Sequence, residues 1–99
     1  MATLHVLSHS PFADSRLASC LKLLGPQDGL LLSGDAVYAL APDTSARHLL
    51  DEHLNSERLF VLAEDLAARN LEAPNGVAAV DYAGFVELSI RFDRVNTWL

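Results

Sequence analysis

Cysteine occurs once, at Cys20, and a single thiol excludes an internal disulfide and any self-contained dithiol mechanism. Sulfur or redox chemistry at this position needs a second molecule. Basic residues are scarce: seven Lys and Arg stand against 13 Asp and Glu, a net charge of −6 that repels phosphate backbones instead of recruiting them. Direct nucleic-acid binding is therefore disfavoured. Long apolar runs are also missing. Stretches such as Leu30 to Leu32, Phe60 to Ala63 and Val77 to Val80 fall far short of the roughly 20 residues that span a bilayer. No basic segment leads into an apolar one at the N-terminus. The expectation is a soluble cytoplasmic protein with no membrane attachment.

Motifs that would announce a chemistry are absent too. The loop after the first apolar segment lacks the G-x-G-x-x-G of a dinucleotide fold, no G-x-x-x-x-G-K-[ST] is present for a triphosphate, and Leu32-Ser33-Gly34 does not fit a G-x-S-x-G nucleophile elbow. Neither C-x-x-C nor H-E-x-x-H spacing occurs, so no metal site is expected, and no cofactor is called for.

What is present reads as one globular domain, residues 1–99. The chain is 51% hydrophobic and 20% charged, and surface scaling buries roughly 65% of such a chain on folding. Thr3 to Leu7 alternates as a strand, and Ser10 before Pro11 predicts a helix start. Leu17, Cys20, Leu21 and Leu24 follow helical spacing up to Gly25-Pro26. Gly29 to Ser33 reads as a buried strand, and Ala36 to Leu40 as a further short strand or an irregular apolar excursion. Ala46, Leu49, Leu50, His53 and Leu54 mark a second amphipathic helix. Arg58 to Leu62 predicts a strand, Glu64 to Arg69 a short helix ended at Asn70, Val77 to Val80 an apolar strand, and Asp81 the cap of a helix over Tyr82 to Phe92. Strands alternating with helices, in runs apolar on both faces, predict a three-layer α/β/α fold around a small, mainly parallel sheet.

Ligands of open parallel sheets bind beyond the carboxyl ends of the strands, here Ser8 to Phe12, Ser33 to Ala36, Ala63 to Asp65 and Asp81 to Gly84. His5 and His9 would share a face if the first strand continued that far, but no third ligand follows, so hydrogen-bonded structural histidines are expected. His48 and His53 lie on different faces of their helix, His53 on the apolar one. Cys20 has apolar neighbours at helical spacing and sits too far into its helix to use the N-terminal dipole, so packing is the first expectation and a reactive thiol the second. Phe92, Val95, Trp98 and Leu99 place large apolar groups in a terminal tail, which suggests docking, either onto a partner or back onto the sheet.

Three segments together carry a family resemblance: Leu4-His5-Val6-Leu7-Ser8-His9-Ser10-Pro11-Phe12, Val61-Leu62-Ala63-Glu64-Asp65-Leu66-Ala67-Ala68-Arg69 and Val80-Asp81-Tyr82-Ala83-Gly84-Phe85-Val86-Glu87-Leu88. The combination L-H-x-L-x-x-S-P-F, L-x-x-D-L-x-A-R and D-Y-x-x-F-V, closing in Trp98-Leu99, resembles the TusB/DsrH family over nearly the whole chain. The resemblance implies a small α/β/α subunit of a heterohexameric sulfur-relay complex with TusC-like and TusD-like partners. It further implies a persulfide-carrying cysteine on the TusD-type partner and a mainly structural or accessory role for this chain. Cys20 resembles the cysteine at the matching first-helix position of DsrH-type members, where some TusB proteins have an apolar residue. It is accordingly the candidate auxiliary sulfur acceptor. Trp98, Leu99 and Tyr38 are candidate subunit contacts.

Two pathways use this architecture: 2-thiolation of the tRNA wobble uridine, with sulfur handed to a downstream accepting protein, and dissimilatory sulfur oxidation. The first is the leading expectation and the second the alternative. A homo-oligomeric ligand-binding module without sulfur chemistry is the third.

Overall fold

The computed structural model describes residues 2–12 and 15–98. Five strands form one sheet: β1 (Thr3–Leu7), β2 (Gly29–Leu32), β3 (Leu59–Leu62), β4 (Ala78–Val80) and β5 (Arg94–Trp98). Their order is β4-β3-β2-β1-β5, and every pairing is parallel. Four helices connect them, α1 (Arg16–Leu23), α2 (Ser45–His53), α3 (Ala63–Ala68) and α4 (Tyr82–Arg91).

Strand alternation divides the core in two. Leu7, Leu30, Leu32, Leu59 and Val61 meet Leu17, Cys20 and Leu21 of α1, Ala46 and Leu50 of α2, and Leu66 of α3 on one face. Leu4, Val6, Leu31, Phe60 and Leu62 meet Leu88, Phe85 and Phe92, on or beside α4, on the other. The chain walks from β1 to β4 in one direction and then returns past β1 to reach β5. Crossovers of one hand require the helix of a reversed step to lie on the opposite face. That reversal is why α4 alone covers its side. It also puts the topological switch point between β1 and β5.

Several boundaries differ from the sequence expectations. Helix α1 starts at Arg16 with Ser15 as N-cap, not at Pro11. Ser10 Oγ instead accepts from the Phe12 N–H at 3.2 Å, which spends the serine on a local turn; residues 13 and 14 lie outside the described residues. The Ala36 to Leu40 stretch is neither strand nor irregular but a 3₁₀ helix, Gly34–Leu40, that buries Ala36, Val37, Ala39 and Leu40. Helix α1 ends on an extended Leu24 (φ −64°, ψ 126°), not on a left-handed glycine. Strand β4 is exposed to half-buried, an edge and not a buried strand. The tail after Phe92 is strand β5, which the sequence reading leaves unassigned. Its residues are mostly exposed, so it shows little of the alternation that marks a half-buried strand.

Candidate functional site

The strand-end loops pair with one another. Ser33 donates its N–H (2.9 Å) and its hydroxyl (3.0 Å) to the Leu7 carbonyl at the end of β1. Gly34, in the left-handed region at φ 51°, donates its N–H to Asp65 Oδ2 at 2.8 Å. Arg69 binds Asp35 Oδ1 through Nε (3.2 Å) and Nη2 (2.8 Å), lies 3.7 Å from Asp65, and stacks 5.7 Å from the Tyr38 ring centroid. Hydrogen bonding to Asp35 holds the Arg69 guanidinium above its ordinary pKa. Asp81 caps α4 by accepting from the Gly84 N–H at 2.8 Å. The loops after β2 and β3 thus spend polar groups on bracing each other, while Asp81 serves its own helix. Among the described residues, no buried side-chain nitrogen or oxygen lacks a partner. None of them forms a group of three or more metal-ligating side chains.

A second polar cluster lies inside, on the face covered by α1. Asp28, buried just before β2, accepts from the N–H groups of Thr3 (2.9 Å) and Gly25 (2.8 Å) and faces His5 Nε2 at 3.4 Å. Burial pushes its carboxyl up, but the two backbone donors and the His5 ring together outweigh that and hold it below its ordinary value. Trp98 Nε1 donates to the other ring nitrogen of His5, Nδ1, at 3.1 Å. His5 is thus a hydrogen-bonded structural histidine. His9 lies exposed beyond the end of β1, so the two do not form a pair. His53 is exposed, not apolar-facing, and its Nδ1 donates to the Leu49 carbonyl at 3.0 Å. Asp28 carries no signal in the sequence, because its partners come from residues more than 20 positions away except for Gly25.

Cys20 is 0% exposed, within the apolar cluster of α1, β1 and β2. Burial, reinforced by the negative charge of Asp28, pushes its thiol up to about 12. At neutral pH it is a thiol and not a nucleophilic thiolate.

The model of the family described as "DsrH like protein" matches residues 9–95. The chain belongs to the DsrH-like family. It is 32% identical over 97 residues to "Protein TusB" of Yersinia pestis (strain Pestoides F) and equally to "Protein TusB" of Yersinia pseudotuberculosis serotype O:1b (strain IP 31758). Each alignment covers 96% of this chain and 99% of the relative. The crystal structure of the ychN protein from E. coli superposes with a TM-score of 0.73 at 16% identity, over 99% of this chain and 100% of that one. At that identity the likeness shows the fold alone.

In this DsrH-like chain the aromatic side chains singled out from sequence occupy different settings. Tyr38 is 36% exposed, beneath the Arg69 guanidinium. Trp98 is half-buried on β5, packed against the core cluster that contains Cys20. Leu99 lies outside the described residues. Tyr82, Val86 and Ile90 are exposed at a spacing of four on the outer side of α4, a stripe that counting along that helix would have found.

Proposed function

We propose that this chain is a TusB-type subunit of a heteromeric sulfur relay serving 2-thiolation of the tRNA wobble uridine, with a structural or accessory role. The observation that carries the reading is the state of Cys20. A thiol that relays sulfur has to ionise and be reached by both donor and acceptor. The chain's one cysteine is wholly enclosed, with its pKa near 12. This reading assigns the persulfide to a partner of TusD type, with a TusC-like subunit completing the assembly and sulfur leaving through the complex to a downstream accepting protein. Cys20 packs the core and is not the auxiliary acceptor. The net charge of −6 supports contact with proteins while another enzyme holds the RNA. Tyr38, Trp98 and Leu99 contribute to subunit contacts, as aromatic anchors commonly do. Among the described residues no helix is long and apolar enough to cross a membrane, and the reading places the complex in the cytoplasm.

Native mass spectrometry of the tagged protein from its own cells tests this. The expected mass is that of an assembly with two similar small α/β subunits, and loss of the chain should lower wobble 2-thiouridine. A homo-oligomer or a free monomer would overturn the relay reading. A heteromer whose loss spares 2-thiouridine but stops sulfur oxidation would move the chain to that pathway instead.

A further inference from the structure

Strand β5 is an edge strand, paired only to β1, with Arg94 to Thr97 exposed. Its start is clamped: Asp93 donates its N–H to the Ala2 carbonyl and accepts the Ala2 N–H on Oδ2, both at 2.9 Å. Its end is held by Trp98, which packs on the core and donates its indole N–H to His5 Nδ1 at 3.1 Å. An indole N–H can only donate. His5 Nδ1 is therefore the accepting nitrogen, and the single imidazole proton sits on Nε2, facing Asp28 Oδ2 at 3.4 Å. The side chain of Asn96, also on β5, lies 3.5 Å from the same Nδ1.

Among the described residues, charged and titratable groups lie on several elements around this ring, and on β5 itself Arg94 shares a face with Asn96 and Trp98. Asp28 faces it from the loop before β2. Arg58, from the turn before β3, binds the backbone carbonyls of Asp28 and Gly25. Cys20, on α1, lies in the core cluster against which Trp98 packs.

We propose that His5 is a proton-operated latch for the C-terminal strand: the neutral ring holds Trp98 against the core, and the protonated ring releases it. A proton taken from solvent onto Nδ1 sets two N–H groups against each other at the 3.1 Å now spanned by the hydrogen bond. The resulting imidazolium gains an ion pair with Asp28. Rotation of the Asn96 amide replaces its nitrogen with an oxygen that accepts the new N–H. The protonated ring thus has two partners and the indole has none. The rest of β5 buries little side chain, so the strand opens from its end while the Asp93 clamp keeps its start. This inference does not depend on the relay reading.

Trp98 is the chain's one tryptophan, so its indole N–H signal and its fluorescence report on the latch without interference. The full-length chain is titrated from about pH 8 to about pH 5, following the His5 ring and indole hydrogen exchange by NMR. The expected result is a loss of indole protection of about tenfold or more, corrected for the intrinsic pH trend, with the same midpoint as His5. Trp98→Phe keeps the ring packing but removes the donor to neutral His5, and should raise the His5 midpoint by about half a unit or more. His5→Asn offers an acceptor that takes no proton, and should abolish the pH dependence. Protection unchanged through the His5 titration, a His5 midpoint unmoved by Trp98→Phe, or a His5 ring still neutral at about pH 5 would each overturn the latch. If His5→Asn does not fold, the Trp98→Phe midpoint decides.

Discussion

Cys20 shows how one side chain's surroundings set its chemistry. With its thiol pushed to about 12, alkylation by iodoacetamide at about pH 8 should run about three orders of magnitude slower in the folded chain than in urea. Equal rates would mean that α1 opens readily. Cys20→Ala should cost on the order of 1 kcal/mol in urea unfolding, through a small cavity, and leave sulfur transfer by the assembled complex unchanged. Besides His5, two ionisations link the fold to pH. The raised thiol contributes stability that is fully present below its ordinary value of 9.0 and is lost as pH climbs toward about 12. The lowered Asp28 carboxyl acts in the opposite sense, with its contribution present above the ordinary value of 3.8 and lost as pH falls through its depressed one. Urea midpoints across pH should therefore fall at both ends, with Cys20→Ala flattening the alkaline limb and Asp28→Asn the acid one.

At the scale of the element, turn chemistry separates positions that sequence predicts from those that only packing explains. Asn70 is the first kind: it adopts the left-handed region at φ 54° and closes α3, with Leu71 N–H donating to the Leu66 carbonyl at 3.0 Å. Asn70→Gly should leave thermal stability nearly unchanged, whereas Asn70→Val should lower it by about 1–2 kcal/mol. Gly29 is the second kind. A Cβ there would sit 2.6 Å from the Phe92 ring, which meets Phe60 edge-on at a centroid separation of 6.4 Å. Gly29→Ala should therefore force Phe92 off its site and cost about 1–3 kcal/mol by thermal unfolding, and Gly29→Ala with Phe92→Leu should recover part of that loss.

For the whole molecule, the decisive property is a sheet that binds its two chain ends side by side. Strand β1 is central because β5 pairs with it over residues Thr3 to Leu7. A chain truncated after Asp93 turns β1 into an open edge and uncovers His5. Such a chain should lose protection of its β1 amides in hydrogen exchange and become prone to association. Retained protection of those amides would show that β5 contributes little to the sheet. In the relay reading, the same truncation should also weaken co-purification with partner subunits, since it removes Trp98 and Leu99.

Much of the fold was legible in the sequence because it was encoded locally. The apolar runs of β2 and β3, the Asp81 cap and the Asn70 stop each declare themselves within a few residues, and the alternation of elements was enough for a parallel α/β/α sheet. The buried state of Cys20 was likewise foreshadowed by Leu17, Leu21 and Leu24. Only the tertiary structure could add β5, whose exposed residues become a strand by pairing with β1 some 90 positions earlier. The same holds for the joining of His5, Asp28 and Trp98, and for the bracing of Asp35 and Asp65 by Arg69. Hydrophobic periodicity records which face of a segment leaves water. Hydrogen bonds between distant polar residues leave no period in the chain, and only the closed fold brings them together.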